Sequence, residues 1–273
     1  MSGRLYVVST PIGNLEDITY RAVRILKECD WIACEDTRTT GHLLHHYGIQ
    51  TRTISYHEHN EAERAAELFD RLKAGETGAL VSDAGTPLLS DPGYRIVRGL
   101  AQAGIRVEAI PGASAVLAAL VVSGLPVDQF HFGGFLPAKQ TQRRKLLESL
   151  ASEPATLIFY EAPHRILESL ADIAETLRHR EIAVARELTK IHEEVLRGTA
   201  AEVLAKLEAK DAVRGEFVVL ISKATEPEPG GASIEDAITG LMAAGIPRMD
   251  AIKTVARERG LSKREVYRLV NLK

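Results

Sequence analysis

The sequence contains little cysteine, few aromatic residues and no excess of positive charge. Its two cysteines, Cys29 and Cys34, have no CxxC partner, so we expect reduced thiols rather than a disulfide or a metal site. An aromatic fraction of 5% argues against a protein that works mainly through aromatic platforms for stacking bases. The net charge of −3 excludes a generally basic surface, so any contact with nucleic acid must come from a local patch.

Long apolar runs are also missing. The longest stretch, residues 113–122, is too short to span a membrane and is interrupted by Ser114. The first residues carry a short apolar run but no cleavage pattern of a secretory signal. We therefore expect a cytoplasmic protein that has no membrane partner.

The chain has enough apolar material for two folded domains, since 45% of its 273 residues are hydrophobic and 26% are charged. The first predicted domain covers residues 1–125, where short apolar runs alternate with amphipathic helix patterns. The runs at 5–8, 31–34 and 79–81 are apolar throughout, and 106–110 predicts a further strand. Continuous apolar strands that alternate with helices are typical of a parallel sheet covered on both faces.

The remaining chain divides into three further predicted parts. Residues 126–225 repeat the strand and helix alternation and predict a second α/β domain, with antiparallel pairing near 190–198. Residues 226–232 are rich in Pro, Gly and Glu and predict a linker. Residues 233–273 predict a small helical unit.

Three turns rich in glycine and proline follow predicted strands of the first domain, at residues 10–14, 82–87 with its continuation 88–93, and 110–115. Parallel sheets bind ligands beyond the carboxyl ends of their strands, and glycine lets the backbone approach a ligand closely. One such turn alone would only connect a strand to a helix, but three on one rim favour a cofactor pocket. The turns are neither GxGxxG nor GxxxxGK[ST], which argues against a dinucleotide or a nucleoside triphosphate. Asp83 has no second ligand at matching spacing, so we expect no metal.

Several motifs resemble the tetrapyrrole-methylase-like (class III) family of S-adenosylmethionine-dependent methyltransferases. They are TPIGNLEDIT from residue 10, EDTR from 35, VSDAGTP from 81 and IPGAS from 110. Two more, FYEAPHR from 159 and ARELTK from 185, resemble the ribosomal RNA small subunit methyltransferase I branch. The resemblance spans residues 4–223. It implies two α/β domains with a cleft for S-adenosylmethionine between them, a homodimer, and methyl transfer to the 2′-hydroxyl of cytidine 1402 in 16S rRNA.

The resemblance also implies which residues contact the cofactor. Seven come from the rim turns of the first domain: Pro11, Asp83, Gly85, Thr86, Leu89, Ser114 and Ala115. Three come from the later part of the chain: Tyr160, Leu188 and Phe217. Many relatives have Gly-Asp-Pro where this chain has Gly85-Thr86-Pro87, so a carboxylate role cannot be transferred to position 86. Asp83 could take that role or only cap a turn.

The residues around the methyl acceptor are less well defined by sequence. The candidates for a catalytic role are His57, Glu161 and Lys190, and positioning alone, without a general base, is an alternative. The candidates for RNA contact are Arg38, His57, Asn60, Arg165, Arg186 and Lys190. For the basic residues among them, ordinary surface ion pairing is the competing interpretation. The basic run 143–145 could likewise grip an RNA backbone or form a solvated helix face.

The C-terminal unit concentrates positive charge. Residues 232–273 contain eight Lys or Arg and five Asp or Glu, a net charge of +3, whereas the rest of the chain carries −6. Ala256, Gly260 and Val266 have the spacing of a helix-turn-helix, with Ser262 capping the second helix. We interpret the unit as an rRNA-docking element, with a dimer-packing or solubilising cap as the alternative.

The leading hypothesis is therefore an S-adenosylmethionine-dependent rRNA 2′-O-methyltransferase that acts on 16S rRNA within the small ribosomal subunit. The alternatives are a methyltransferase of a tetrapyrrole precursor and a non-enzymatic, nucleic-acid-binding regulator. The basic C-terminal unit and the branch motifs disfavour the first alternative. The second leaves the three rim turns unexplained.

Overall fold

The computed structural model describes residues 3–224 and 233–270, so the predicted linker 226–232 lies outside the described residues. The chain groups into two compact units. The first extends to Ala118 and also includes Leu188–Ile191, and the second comprises Ala119–Glu187 and the chain from His192 onwards. The four-part division predicted from the sequence, with boundaries at 125, 225 and 232, stays a prediction.

The first unit is built on five strands, with helices between them. The strands are β1 (Arg4–Val8), β2 (Trp31–Cys34), β3 (Thr53–Ser55), β4 (Thr77–Leu80) and β5 (Arg106–Ile110). The helices are α1 (Tyr20–Glu28), α2 (Thr37–His46), α3 (Glu61–Lys73) and α4 (Tyr94–Gln102), and α5 (Ala115–Ser123) begins in this unit. The strand order is β3-β2-β4-β1-β5 and every pairing is parallel, as the apolar runs predicted.

Close packing of this sheet requires glycine at one position beside its largest side chain. Trp31 on β2 is fully buried, and a Cβ built on Gly78 of β4 would lie 2.1 Å from its ring. Cys29 and Cys34 are both free and buried in the same unit, which agrees with the interpretation as reduced thiols. Burial raises the pKa of Cys29 to about 12, so this thiol stays protonated and unreactive at neutral pH.

The second unit contains a mixed sheet. Its strands are β6 (Phe130–Phe135), β7 (Thr156–Glu161), β8 (Glu181–Arg186), β9 (Glu194–Thr199) and β10 (Phe217–Ile221). Its first helices are α6 (Gln140–Ser149), α7 (Ile166–Thr176) and α8 (Ala200–Glu208). The order is β6-β7-β10-β8-β9, where only β6 and β7 pair in parallel. The antiparallel pairing of β8 with β9 confirms the prediction made for the stretch near 190–198.

An ion-pair network lies buried between α6 and α7. The Nε atom of Arg143 donates to Asp172 Oδ2 at 2.7 Å, and both side chains are almost fully buried. Arg144 donates to the other carboxylate oxygen at 2.5 Å and pairs with Glu175. The sequence-based interpretations of the run 143–145 as an RNA grip or a solvated face are both wrong for Arg143. A charged residue can occupy this interior position because a carboxylate from the next helix neutralises it.

Three short helices end the described chain: α9 (Ile234–Ala243), α10 (Arg248–Glu258) and α11 (Lys263–Val270). They share a small apolar core that includes Ala256 and Val266. Gly260 turns the chain with a φ of 65°, and Ser262 caps α11 by accepting from the Glu265 amide at 3.2 Å. The predicted helix-turn-helix spacing and cap are thus confirmed. None of the helices in the described residues is long and apolar enough to cross a membrane.

The buried network predicts that Asp172→Ala destabilises the second unit by about 3 kcal/mol or more, because it leaves the Arg143 charge without its carboxylate partner. The matched control Glu175→Ala removes an exposed partner and should cost under about 1 kcal/mol. Urea unfolding followed by circular dichroism measures both. Equal midpoints for the two variants would contradict the network's role.

The stability that this ion-pair network provides depends on pH. Burial alone would raise the pKa of Asp172, but hydrogen bonds from Arg144 and Arg143 outweigh burial and lower the pKa below its ordinary value. The stabilisation is therefore fully present above the unfolded pKa of about 3.9 and is lost as the pH falls through the folded value.

Candidate functional site

The three glycine and proline turns lie side by side at the carboxyl edge of the first sheet. They follow β4, β1 and β5, and these strands are neighbours in that order. Sequence alone predicted that the turns share a rim but not that their strands are adjacent. Adjacency brings Pro11, Gly85 and Ser114 to one short stretch of the sheet edge, where parallel sheets bind ligands.

Hydrogen bonds lock the turns to one another. Thr10 and Gly85 form a two-way backbone bridge, with N···O distances of 2.9 and 3.1 Å. The Thr86 hydroxyl lies 2.9 Å from the Ser9 hydroxyl and donates to the Ala113 carbonyl at 3.1 Å. One threonine thereby joins the turns after β1, β4 and β5. This explains why position 86 can carry threonine here without a carboxylate.

Glycines allow the turns to approach so closely. Gly85 has a φ of 80°, which side chains rarely tolerate, and a Cβ on Gly112 would lie 2.9 Å from the Cβ of Ser9. Beyond Thr86 the loop adopts left-handed conformations at two residues that are not glycine, Leu88 and Ser90. Such conformations cost free energy and often mark ligand loops. The side chain of Leu89, between them, is 42% exposed.

Acidic residues follow the neighbouring strands β2 and β4. Asp83, a predicted cofactor residue, accepts the Asp36 amide at 3.0 Å, so one carboxylate oxygen caps the turn after β2. The pKa of Glu35 is raised by burial and by the charges of Asp83 and Asp91. The Arg38 guanidinium lowers the pKa of Asp36 to about 2. Arg38 itself is 88% exposed on its side chain, which leaves it accessible to a ligand.

His57 and Asn60 form a compact loop after β3. Asn60 accepts the His57 amide at 2.8 Å and donates to the Ser55 carbonyl at 3.2 Å. Its amide nitrogen also lies 3.3 Å from His57 Nε2. His57 Nδ1 is buried and has no hydrogen-bond partner among the described residues. The geometry gives Asn60 a bracing role in the loop, where it holds both the backbone and the ring of His57.

The segment Leu188–Ile191 belongs to the first unit and packs on the turn after β1. The Asn14 amide donates to Thr189 Oγ1 at 3.1 Å. A Cβ on Gly13 would lie 2.4 Å from Lys190 Cγ and 3.0 Å from the Leu188 carbonyl oxygen. Thr189, like Glu187, has a positive φ. Two predicted site residues, Leu188 and Lys190, are thus held beside the rim turn that contains Pro11.

The remaining predicted residues lie in the second unit. Phe217 and Tyr160 lie on the paired strands β10 and β7, and the Tyr160 ring packs edge-on against Phe132 at 4.9 Å between centroids. Arg186 donates to the Arg214 carbonyl at 2.6 Å and lies 3.5 Å from Glu194.

Glu161 is engaged within the protein. Its carboxylate accepts from the Ala162 amide at 2.9 Å, the Ser169 hydroxyl at 2.6 Å and Arg165 at 3.3 Å. Arg165 also donates to the Leu136 carbonyl. These bonds give Glu161 and Arg165 a structural role in the geometry described. Because both carboxylate oxygens of Glu161 are already hydrogen-bonded, Glu161 is a weaker candidate for a general acid or base.

The sequence-based prediction did not include Ser9 in the rim. A polar residue that directly follows a buried strand was the available signal for Ser9. Asp91 lies in the predicted continuation of the second turn, but its proximity to Glu35 appears only in the fold. In the described ranges, 3–224 and 233–270, no three His, Cys, Asp or Glu side chains gather closely enough to hold a metal ion.

Comparison with known proteins gives consistent results. The profile of the family described as Tetrapyrrole (Corrin/Porphyrin) Methylases matches residues 4–204. The chain is 47% identical to a protein of Halalkalibacterium halodurans named Ribosomal RNA small subunit methyltransferase I, over 98% of this chain and 94% of that one. It is 45% identical to an Escherichia coli O157:H7 protein of the same name, over 97% and 94% of the two chains.

Solved structures are similar in fold at low identity. A structure of diphthine synthase covers 82% of this chain and 91% of its own, with a TM-score of 0.65 and 17% identity. Uroporphyrin III C-methyl transferase from Thermus thermophilus covers 81% and 97%, with a TM-score of 0.56 and 20% identity. The fold expected from the sequence is therefore confirmed.

The close approach of the rim turns predicts that Gly85→Ala destabilises the first unit by about 1–2 kcal/mol, because alanine resists a positive φ. Gly41, inside α2, has open space around it, and Gly41→Ala should stabilise by about 0.5–1 kcal/mol. Thermal unfolding should therefore give a lower melting temperature for Gly85→Ala and a higher one for Gly41→Ala than for the wild type. An unchanged melting temperature of Gly85→Ala would show that the rim turns can adjust to the added methyl group.

Proposed function

The chain belongs to the Tetrapyrrole (Corrin/Porphyrin) Methylases family, and on that basis we propose that it methylates 16S rRNA at the 2′-hydroxyl of cytidine 1402, with S-adenosylmethionine as donor. The observation that carries the proposal is the interlocked rim of three turns at adjacent strand ends. Relatives of nearly the same length that carry the rRNA methyltransferase name support rRNA as the acceptor. The enzyme is further proposed to be cytoplasmic and to act on the small ribosomal subunit.

The rim turns have the charge expected of a site for a cationic donor. Residues 10–14, 82–93 and 110–115 contain no Lys or Arg and include Asp83 and Asp91. A cofactor that carries phosphate would instead call for cations and for the loop patterns that this chain lacks. When bound, S-adenosylmethionine supplies a methyl group on a positively charged sulfur. The residues present therefore fit a sulfonium donor.

Specific residues are proposed to hold the donor. Backbone groups of Pro11 and Gly85 and the start of α5 at Ser114 and Ala115 offer polar contacts, because the first amides of a helix lack partners within it. Leu89 offers an apolar contact. Thr86 is proposed to act by keeping the turns together. The further proposed cofactor contacts are Asp83, Tyr160, Leu188 and Phe217.

The methyl acceptor is proposed to lie toward β2 and β3, beside the donor turns. Arg38 is exposed there and suits a phosphate contact. Of the candidate catalytic residues, His57 is the proposed general base, because it lies in the loop that follows β3, whereas the oxygens of Glu161 are engaged within the protein. Lys190 stays a candidate, as does positioning without a base. The other proposed RNA contacts are Asn60, Arg165, Arg186 and Lys190.

A homodimer is supported by an apolar surface on α5. This helix is apolar except for its last residue, Ser123, yet Leu117 is 52% exposed and Val121, one turn later, is 76% exposed. A helix that is apolar on all sides is normally buried, so a covering partner is expected. A second copy of this chain is the proposed partner.

The deciding experiment combines the purified protein, S-adenosylmethionine with an isotopically labelled methyl group, and small ribosomal subunits from cells that lack the enzyme. Mass spectrometry of rRNA digests should find one ribose methyl, on cytidine 1402. Naked 16S rRNA and uroporphyrinogen III serve as alternative acceptors. Methylation of a base or of another nucleotide, or transfer only to the tetrapyrrole, would overturn the proposal.

The donor site can be tested without RNA. Ser114→Trp should weaken S-adenosylmethionine binding by roughly 100-fold or more, because the indole fills the space at the start of α5. Gln102→Trp, at the exposed end of α4 in the same unit, is the matched control and should bind like the wild type. Isothermal titration calorimetry measures both, with circular dichroism to verify folding. A folded Ser114→Trp protein that binds normally would place the donor elsewhere.

A further inference from the structure

A groove of about 670 Å³ lies within the second unit. One wall comes from α6 and the end of α7, and the other from α10 and the start of α11. Hydroxyl-bearing side chains line it at Ser149, Thr176, Thr254 and Ser262, and no aromatic ring is among its lining residues. The groove therefore offers polar contacts but no surface on which a base could stack.

Positive charge dominates the groove. Its lining contains six basic residues: Arg144, Lys145, Arg178, Lys253, Arg257 and Lys263. It contains three acidic residues: Glu148, Glu175 and Asp250. Both walls contribute cations, so an anionic chain lying in the groove would be contacted from two sides.

Four of these cations are available for a ligand. Arg144 is occupied by Asp172 and Glu175, and Lys253 by Asp250 at 2.7 Å. Lys145, Arg178, Arg257 and Lys263 are exposed and form no ion pair in the described part of the chain. Unpaired cations that face one another repel, and an intervening anion relieves this repulsion.

Both walls are fixed before any ligand arrives. On the α6 wall, the Asp172 pair anchors Arg143 and Arg144 to α7. On the other wall, Ser262 and Glu265 bond reciprocally at the start of α11. The hydrogen bonds from Ser262 lower the pKa of Glu265, so its carboxylate stays ionised and keeps this contact at neutral pH. A preformed groove binds at lower entropic cost.

We propose that this groove binds the sugar–phosphate backbone of the RNA substrate and positions it without reading its sequence. The inference deepens the proposed function and rests on it. The groove offers unpaired cations on both walls, whose N–H groups donate to phosphate oxygens, and lacks the rings that would specify bases. The chain outside residues 232–273 carries −6, so a local cluster of this kind is needed to hold a polyanion.

The test measures binding of the full chain to a 16S rRNA transcript by filter binding at several salt concentrations. Arg257→Gln/Lys263→Gln should weaken binding by about tenfold or more. It should also reduce the slope of log affinity against log salt by about 1.4 to 1.8, since two phosphate contacts are lost. Lys27→Gln/Lys73→Gln makes the same charge change at exposed lysines of the first unit and should leave both quantities unchanged.

A variant that removes a negative charge from the groove should change RNA affinity in the opposite direction. Glu148→Gln removes an acidic side chain that lines the groove and is expected to raise RNA affinity about threefold. S-adenosylmethionine binding should stay at the wild-type value in all these variants. Circular dichroism verifies that each variant is folded.

The outcomes separate the two proposals. If the wild type methylates 16S rRNA but the Arg257→Gln/Lys263→Gln variant binds RNA with unchanged affinity and salt slope, the groove inference fails and the proposed function stands. If the wild type binds the transcript through the groove residues but transfers no methyl group to it or to the small subunit, the proposed function fails. Equal losses in the groove variant and the Lys27→Gln/Lys73→Gln control would also overturn the groove, because only net charge would then matter.

Discussion

The candidate site depends on one hydroxyl group. Thr86, in the turn after β4, bonds to Ser9 after β1 and to Ala113 after β5, and the backbone bridge of Thr10 with Gly85 reinforces the same junction. In a parallel sheet the carboxyl ends of the strands lie at one edge, but the sheet does not fix the conformation of the loops that follow them. The bridging threonine supplies that constraint, since neutral hydrogen bonds in a buried setting hold geometry without adding charge. A rim fixed in this way can present its backbone to a ligand.

Local patterns in the sequence predicted most elements of the first unit, because buried strands and amphipathic helices leave apolar signals. They missed α2 and β3. Helix α2 begins with three threonines among its first four residues and contains Gly41, all poor helix formers, and β3 has only three residues. Both elements are stabilised by the fold: Leu43 and Leu44 of α2 are buried, and β3 pairs with β2. Tertiary packing therefore overrides propensity at these elements.

Charged residues were harder to interpret than apolar ones. Arg143 and Arg144 are adjacent in sequence, yet one is buried and the other is half-exposed. Their shared partner, Asp172, is 29 residues from Arg143 in the chain, so no local pattern could pair them. Glu161 illustrates the same limit, because its hydrogen bonds with Ala162 and Ser169 depend on how α7 follows β7. The role of a charge is set by partners that only the fold brings near.

The proposed function needs one site for a cationic donor and another for a polyanionic acceptor. The local charge at these two sites of the same chain must therefore have opposite signs. The rim turns contain aspartates and no Lys or Arg, whereas the groove of the second unit carries twice as many basic as acidic residues. Physiological salt screens exposed charges beyond about 8 Å, so the nearest side chains contribute most to what a binding region attracts. A net charge of −3 is therefore compatible with RNA binding, because the distribution of charge, and not its sum, determines what each surface attracts.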